Sequence, residues 1–125
     1  MLVEELTTTL YRPVGSAELA LIASSGYRRF PPRLPEQPIF YPVLNEPYAS
    51  QIARDWNAQQ NPDGLGYVTR FRVRASYLQR FPVQVVGSHV HEELWVPAQD
   101  LPEFNDNILG LIVVIATYRG PTAAT

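Results

Sequence analysis

The sequence predicts an α+β fold: a single domain over 1–125, core about 8–119, with a split, mostly antiparallel sheet and two principal helices near 16–24 and 47–58. Three observations lead there. The segments run strand, helix, proline-rich loop, strand, helix, and then a series of strands, so the regular βαβ alternation of a parallel sheet is absent. A chain of 125 residues suits one domain with a core of its own. Its 46% hydrophobic and 18% charged content is that of a globular chain.

Each element has a local reason. TTLYRPV (8–14) has strand composition, with Pro13 and Gly15 expected to stop it. SAELALIASSGY (16–27) predicts a short helix: Ser16 offers an N-cap, positions 19, 21 and 22 are apolar, and Gly26 supplies the stop. RRFPPRLPEQP (28–38) carries four prolines, which excludes helix and central strand and predicts an extended loop anchored by Phe30 and Leu34. IFYPVLN (39–45) reads as a short strand, at an edge or bulge because of Pro42. EPYASQIARDWNAQQ (46–60) is the clearest helix, with Pro47 in its first turn and a stripe of Tyr48, Ile52 and either Ala49 or Trp56.

NPDGLG (61–66) is a turn by composition. In YVTRFRVRASYL (67–78), alternation puts Tyr67, Thr69, Phe71 and Val73 on one strand face and Val68, Arg70, Arg72 and Arg74 on the other. FPVQVVGSHVHEELWVP (81–97) predicts one or two further strands and QDLPEFNDN (99–107) a loop; ILGLIVVIATYR (108–119) closes the sheet, its apolar run ILGLIVVIA (108–116) expected as a buried central strand.

Composition excludes several chemistries. A net charge of −2 gives no electrostatic case for a nucleic-acid partner. All ten basic residues are arginine, so neither a Schiff-base nor a Walker-type lysine exists. Without cysteine there is no thiol nucleophile, thiolate metal site or disulfide. MLVEELTTTLYR has acids where a signal peptide carries positive charge, and ILGLIVVIA (108–116) is far short of a membrane span. The expectation is a cytoplasmic protein with no membrane partner.

GSHVHEELWVP (87–97) concentrates the candidate chemistry. On a strand, His89, His91, Glu93 and Trp95 share one face, and Val90, Glu92, Leu94 and Val96 the other. Two histidines and a carboxylate suit Fe, Mn or Zn, and similar spacing occurs in cupin metal sites. Against a metal stand the absence of a third histidine and the ~13 Å that i to i+4 spans on a strand. If Val90, Leu94 and Val96 mark the core, Glu93 looks into a cleft beside Trp95, or else into open solvent. Arg12, at the end of the first strand, and Tyr41, in FYP, are further polar groups in apolar settings. Arg70, Arg72 and Arg74 are expected as a solvated sheet face, with a nucleic-acid or polyanion groove as the other reading. Neither a nucleophile elbow nor a GxGxxG loop is present.

The order of these motifs resembles the ADP-ribosyltransferase fold. LYRPVGSAELALIASSG is similar to its first strand and helix, IFYPVLNEPYASQIARDW to its second block, and HEELWVPAQDLP with NILGLIVV to its closing block. The likeness to short bacterial proteins labelled ADP-ribosylation/crystallin-like spans residues 9–118. The resemblance implies NAD as substrate, with Arg12 anchoring its ribose or phosphates and Tyr41, or in its place Tyr48, packing the nicotinamide. It implies Glu93 as the catalytic carboxylate that stabilises an oxocarbenium-like ribose, and no metal. His91 stands where arginine-modifying members carry Gln or Glu, two residues before the catalytic Glu. The activity implied is ADP-ribosyl transfer or NAD glycohydrolysis, the acceptor being protein, nucleic acid, small molecule or water. The alternative is a catalytically silent nucleotide- or protein-binding module of the same fold, and the third reading a small metal-dependent barrel enzyme using His89, His91 and Glu93.

Overall fold

A computed structural model describes residues 6–88 and 90–120. Its backbone is α+β, built on three long strands: β1 (Thr7–Val14), β3 (Leu65–Arg74) and β7 (Ile108–Arg119). They form an antiparallel sheet in the order β1-β3-β7. Short pairs complete it: β2 (Ile39–Phe40) with β6 (Val96–Pro97), and β4 (Gln84–Val85) with β5 (Glu92–Glu93). Val43 bridges Tyr11 on one side and Glu93 on the other. Pairing therefore runs β7, β3, β1, Val43, β5, β4, and the sheet is split at a single residue.

β1 runs through Pro13 instead of ending there, because the proline costs no hydrogen bond to β3. The N–H of Tyr11 points away from β3, to the Val43 carbonyl at 2.9 Å. Pro13, two residues on, has its nitrogen on that same outer side. The helix after it, α1 (Ser16–Ser24), is capped by Gly15, not Ser16, and the Ser16 hydroxyl instead donates to Asp63. Gly26 follows its C-cap at φ 77°, as a helix stop requires.

The second helix begins at α2 (Glu46–Ile52), where the Asn45 side chain accepts from the Tyr48 N–H and Pro47 occupies the first turn. It widens into a π-turn (Ala53–Asn57) and ends in α3 (Ala58–Gln60). Gly66 of β3 lies under this turn: a Cβ there would collide with the Ala53 carbonyl and come within 2.9 Å of Asn57 Cβ.

The main core lies on the face of β3 carrying Phe71 and Val73, and an edge-to-face aromatic cluster fills it. Phe30 packs on Phe71 at 4.8 Å and on Phe40 at 5.0 Å, and Phe40 packs on Phe104 at 5.4 Å between ring centroids. Val68, on the opposite face, is buried under Ala49 and Ala53 of the second helix.

Four further expectations need correction. Residues 99–107 are not a loop but a 3-10 turn (Ala98–Asp100) and α5 (Leu101–Asp106), held by the i, i+3 pair Leu101 and Phe104, both buried. The strand expected to continue to Leu78 ends at Arg74 and passes into α4 (Ala75–Leu78). β7 is an edge strand with only Ile112 buried, and Leu111 is 51% exposed. Apolar β-branched composition sets strand preference, whereas sheet position is set by which strands pair. In the proline-rich loop, Phe30 is buried but Leu34 is 55% exposed.

Candidate functional site

The stretch 87–97 is not one strand. Gly87 turns the chain at φ 81°, and the Val86 N–H reaches the His91 carbonyl at 2.9 Å across the turn. Val90 is 46% exposed and so marks no core face. Strand parity holds only beyond Glu92: Leu94 and Val96 are buried, while Glu93 and Trp95 point the other way, with Trp95 Nε1 donating to Glu93 Oε1 at 2.9 Å.

Beside them opens a cleft of about 360 Å³, lined among others by Arg12, Tyr41, Val43, Asn57, Glu93 and Trp95. Three of these were singled out in separate blocks of sequence, and the split at Val43 brings them together. A larger hollow of about 400 Å³ lies on the open sheet face between Arg70, Arg72, Leu109 and Leu111, with no carboxylate in its wall. The Glu93 cleft is therefore the candidate site. Of the arginine stripe, Arg74 donates to the Asp106 carbonyl at 3.2 Å and serves the fold, leaving Arg70 and Arg72 exposed.

Glu93 is fixed through both oxygens. Tyr48 Oη donates to Oε2 at 3.0 Å, and Trp95 holds Oε1. The Tyr48 hydroxyl is pushed up to about 12, first by burial and then by its hydrogen bond to Glu93 and the charge of that carboxylate. It remains a donor at any physiological pH. His91 stacks on Tyr48 at 4.5 Å between centroids, and its Nε2 lies 3.0 Å from Gln51 Oε1. His91 thus buttresses Tyr48 and does not itself line the cleft. A carboxylate offers about four lone-pair sites, so two remain for a ligand hydroxyl.

Arg12 is only 8% exposed. Its Nε and Nη2 bind the two oxygens of Glu18 at 2.7 and 2.9 Å, its Nη1 donates to the Tyr41 carbonyl at 3.3 Å, and its guanidinium lies 4.6 Å from the Phe40 ring centroid. The Nε–Nη2 edge is closed by Glu18 and Nη1 is tied to Tyr41, so Arg12 works first as a strut. Glu18 escaped the sequence reading, since no spacing rule joins a strand arginine to a first-turn acid across Gly15.

Asn57 was also missed. It ends the π-turn at the cleft wall, and its Oδ1 is buried without a hydrogen-bond partner among the described residues. π-Turns often occur at functional sites, but nothing in the sequence marks this one.

His89 lies outside the described residues, and with it the metal reading that needs it. Among the described residues no three His, Asp or Glu side chains are grouped to hold a metal ion, and no helix is long and apolar enough to cross a membrane. Comparison with protein families, with curated proteins and with solved structures finds no match to this chain.

Proposed function

We propose that the cleft takes the nicotinamide-ribose end of NAD, and that the protein is an ADP-ribosyltransferase-like or NAD-glycohydrolase-like enzyme of the ADP-ribosyltransferase fold. One observation carries the reading: Arg12, Tyr41 and Glu93 line one cleft, with the Glu93 carboxylate oriented by Tyr48 and Trp95. Trp95 and Tyr41 offer exposed aromatic surface on which a flat pyridinium or its ribose packs. Glu93 accepts a hydrogen bond from a ribose hydroxyl. As the C1′–N bond breaks, its electron pair leaves with nicotinamide, and positive charge grows on the ribose beside the carboxylate. Water or another O–H or N–H acceptor then attacks C1′ and releases a proton. Such a role goes with a cytoplasmic setting.

A second reading, a nucleotide-binding module of that fold without turnover, is favoured by the occupied edge of Arg12 and the engagement of both Glu93 oxygens. Calorimetric titration with NAD and ADP-ribose, followed by chromatographic assay of free nicotinamide, separates the two. Binding with nicotinamide release supports the enzyme, and binding without release supports the module. Absence of binding to either ligand overturns both.

A further inference from the structure

We propose that Arg33, from the proline-rich loop, forms a second subsite that binds the diphosphate of the nucleotide, with the nucleoside beyond it resting on Leu21 and Leu34. This inference rests on the reading of the Glu93 cleft as a nucleotide site and adds where the rest of the ligand lies.

The geometry starts from what Arg12 lacks. Three of its five N–H groups are committed, and its Nε–Nη2 edge is taken by Glu18, which leaves one N–H on each terminal nitrogen. Arg33 is nearby and open. It is half-buried, its Nε donates to the Ile39 carbonyl at 3.1 Å, and its two terminal nitrogens have no hydrogen-bond partner among the described residues. The contact to Ile39 fixes the side chain and leaves the outer edge of the guanidinium for a ligand.

A second hollow of about 260 Å³ surrounds it, lined by Glu18, Leu21, Pro31, Pro32, Arg33 and Leu34 among others. Glu18 borders this hollow and Arg12 borders the Glu93 cleft, so the Arg12–Glu18 pair stands between the two. The charges there do not balance: Arg12 and Arg33 face one carboxylate. Burial, and next the charge of Arg12, hold Arg33 below the ordinary arginine range, and an arriving anion relieves the second of these. The walls also fit. Leu21 and Leu34 are both exposed beside prolines, which suits an apolar ring system attached to an anion.

The test titrates pyrophosphate, ADP-ribose and nicotinamide riboside into wild type, Arg33→Gln and Arg33→Lys, with melting curves to compare folding. Arg33→Gln is expected to weaken pyrophosphate and ADP-ribose about 10-fold or more while nicotinamide riboside stays within twofold. Arg33→Lys, which keeps the charge but not the fork, is expected to restore part of that loss. Unchanged ADP-ribose and pyrophosphate affinity in Arg33→Gln overturns the subsite, as does an equal loss for all three ligands. Wild type that binds pyrophosphate through Arg33 but ignores nicotinamide riboside keeps the subsite and removes the reading of the Glu93 cleft. Wild type that binds none of the three removes both.

Discussion

Tyr48 and Glu93 lie 45 positions apart in the chain and 3.0 Å apart in space, the phenol donating to the carboxylate. The Asn45 cap starts the helix that carries the phenol, and the pairing of Val43 with Glu93 brings the carboxylate opposite. Burial and Glu93 both favour the protonated phenol, so the pair is stable as donor and acceptor throughout the neutral range.

Tyr48→Phe removes that donor. The carboxylate is then held by Trp95 alone, and nicotinamide release is expected to slow ~10-fold with NAD affinity little changed. The same variant tests the titration. A folded-state value of about 12 against an ordinary 10 means that the folded protein holds this proton more tightly. Its contribution is complete below pH 10 and is lost as pH rises towards 12. Urea denaturation from pH 9 to 12 is expected to show a steeper alkaline fall in wild type than in Tyr48→Phe, by on the order of 1 kcal/mol after solvent screening.

Glu93→Gln is the direct test of the chemistry. Loss of the charge that stabilises the ribose cation is expected to slow nicotinamide release ~100-fold or more, with NAD affinity within a few-fold. The amide can keep its carbonyl on Trp95 and turn its N–H₂ to the Tyr48 oxygen, which then accepts instead of donating, so the loss of two charge-assisted bonds lowers stability by roughly 1–2 kcal/mol. Single-turnover rates beside denaturation curves separate the two effects. A variant that releases nicotinamide at the wild-type rate takes Glu93 out of the reaction.

Arg12→Ala reports on the strut. Removing the guanidinium leaves Glu18, a half-buried carboxylate, without its bidentate hydrogen-bond partner, the charge of Arg33 alone remaining nearby. The first effect expected is a loss of roughly 2–4 kcal/mol of stability, ahead of any change in affinity. Arg12→Leu combined with Glu18→Leu is expected to recover part of it, because the pair is removed together and only the half-buried Arg33 loses a counter-charge. A double variant no more stable than Arg12→Ala in chemical denaturation refutes this account.

Gly66→Ala tests the tight seating of the π-turn on β3. A methyl group there meets the Ala53 carbonyl, which is backbone and cannot swing aside. Destabilisation of ~3 kcal/mol or more is expected, together with weaker ligand binding through displacement of Asn57. Thermal melting and titration with ADP-ribose measure the two.

Much of this was legible in the sequence where local rules act alone. The two helices follow from Gly26, Pro47 and their apolar spacing, and the β3 faces follow from alternation between Tyr67 and Arg74. Arg12, Tyr41 and Glu93 were singled out, and the structure brings them to one cleft. What stayed hidden depends on contacts distant in the chain. The exposure of β7 is decided by its single neighbour β3, and α5 by the fit of Phe104 against Phe40. The pairing of Arg12 with Glu18 and the open edge of Arg33 likewise arise only once strand, helix and loop have met.

The junction at Val43 has a mechanical consequence. Tyr11 and Val43 exchange two hydrogen bonds, while Leu44 reaches Glu92 and Leu94 reaches Pro42, so two backbone bonds hold the Val43 segment to each half. β1 and β3, by contrast, are paired along eight positions. The aperture between Arg12 and Glu93 is thus set across the least braced line of the sheet, like jaws meeting at a short rivet. The distance between the ion-paired arm and the carboxylate arm is the dimension that yields first under load, and backbone amides along this seam exchange with solvent ahead of those in β3.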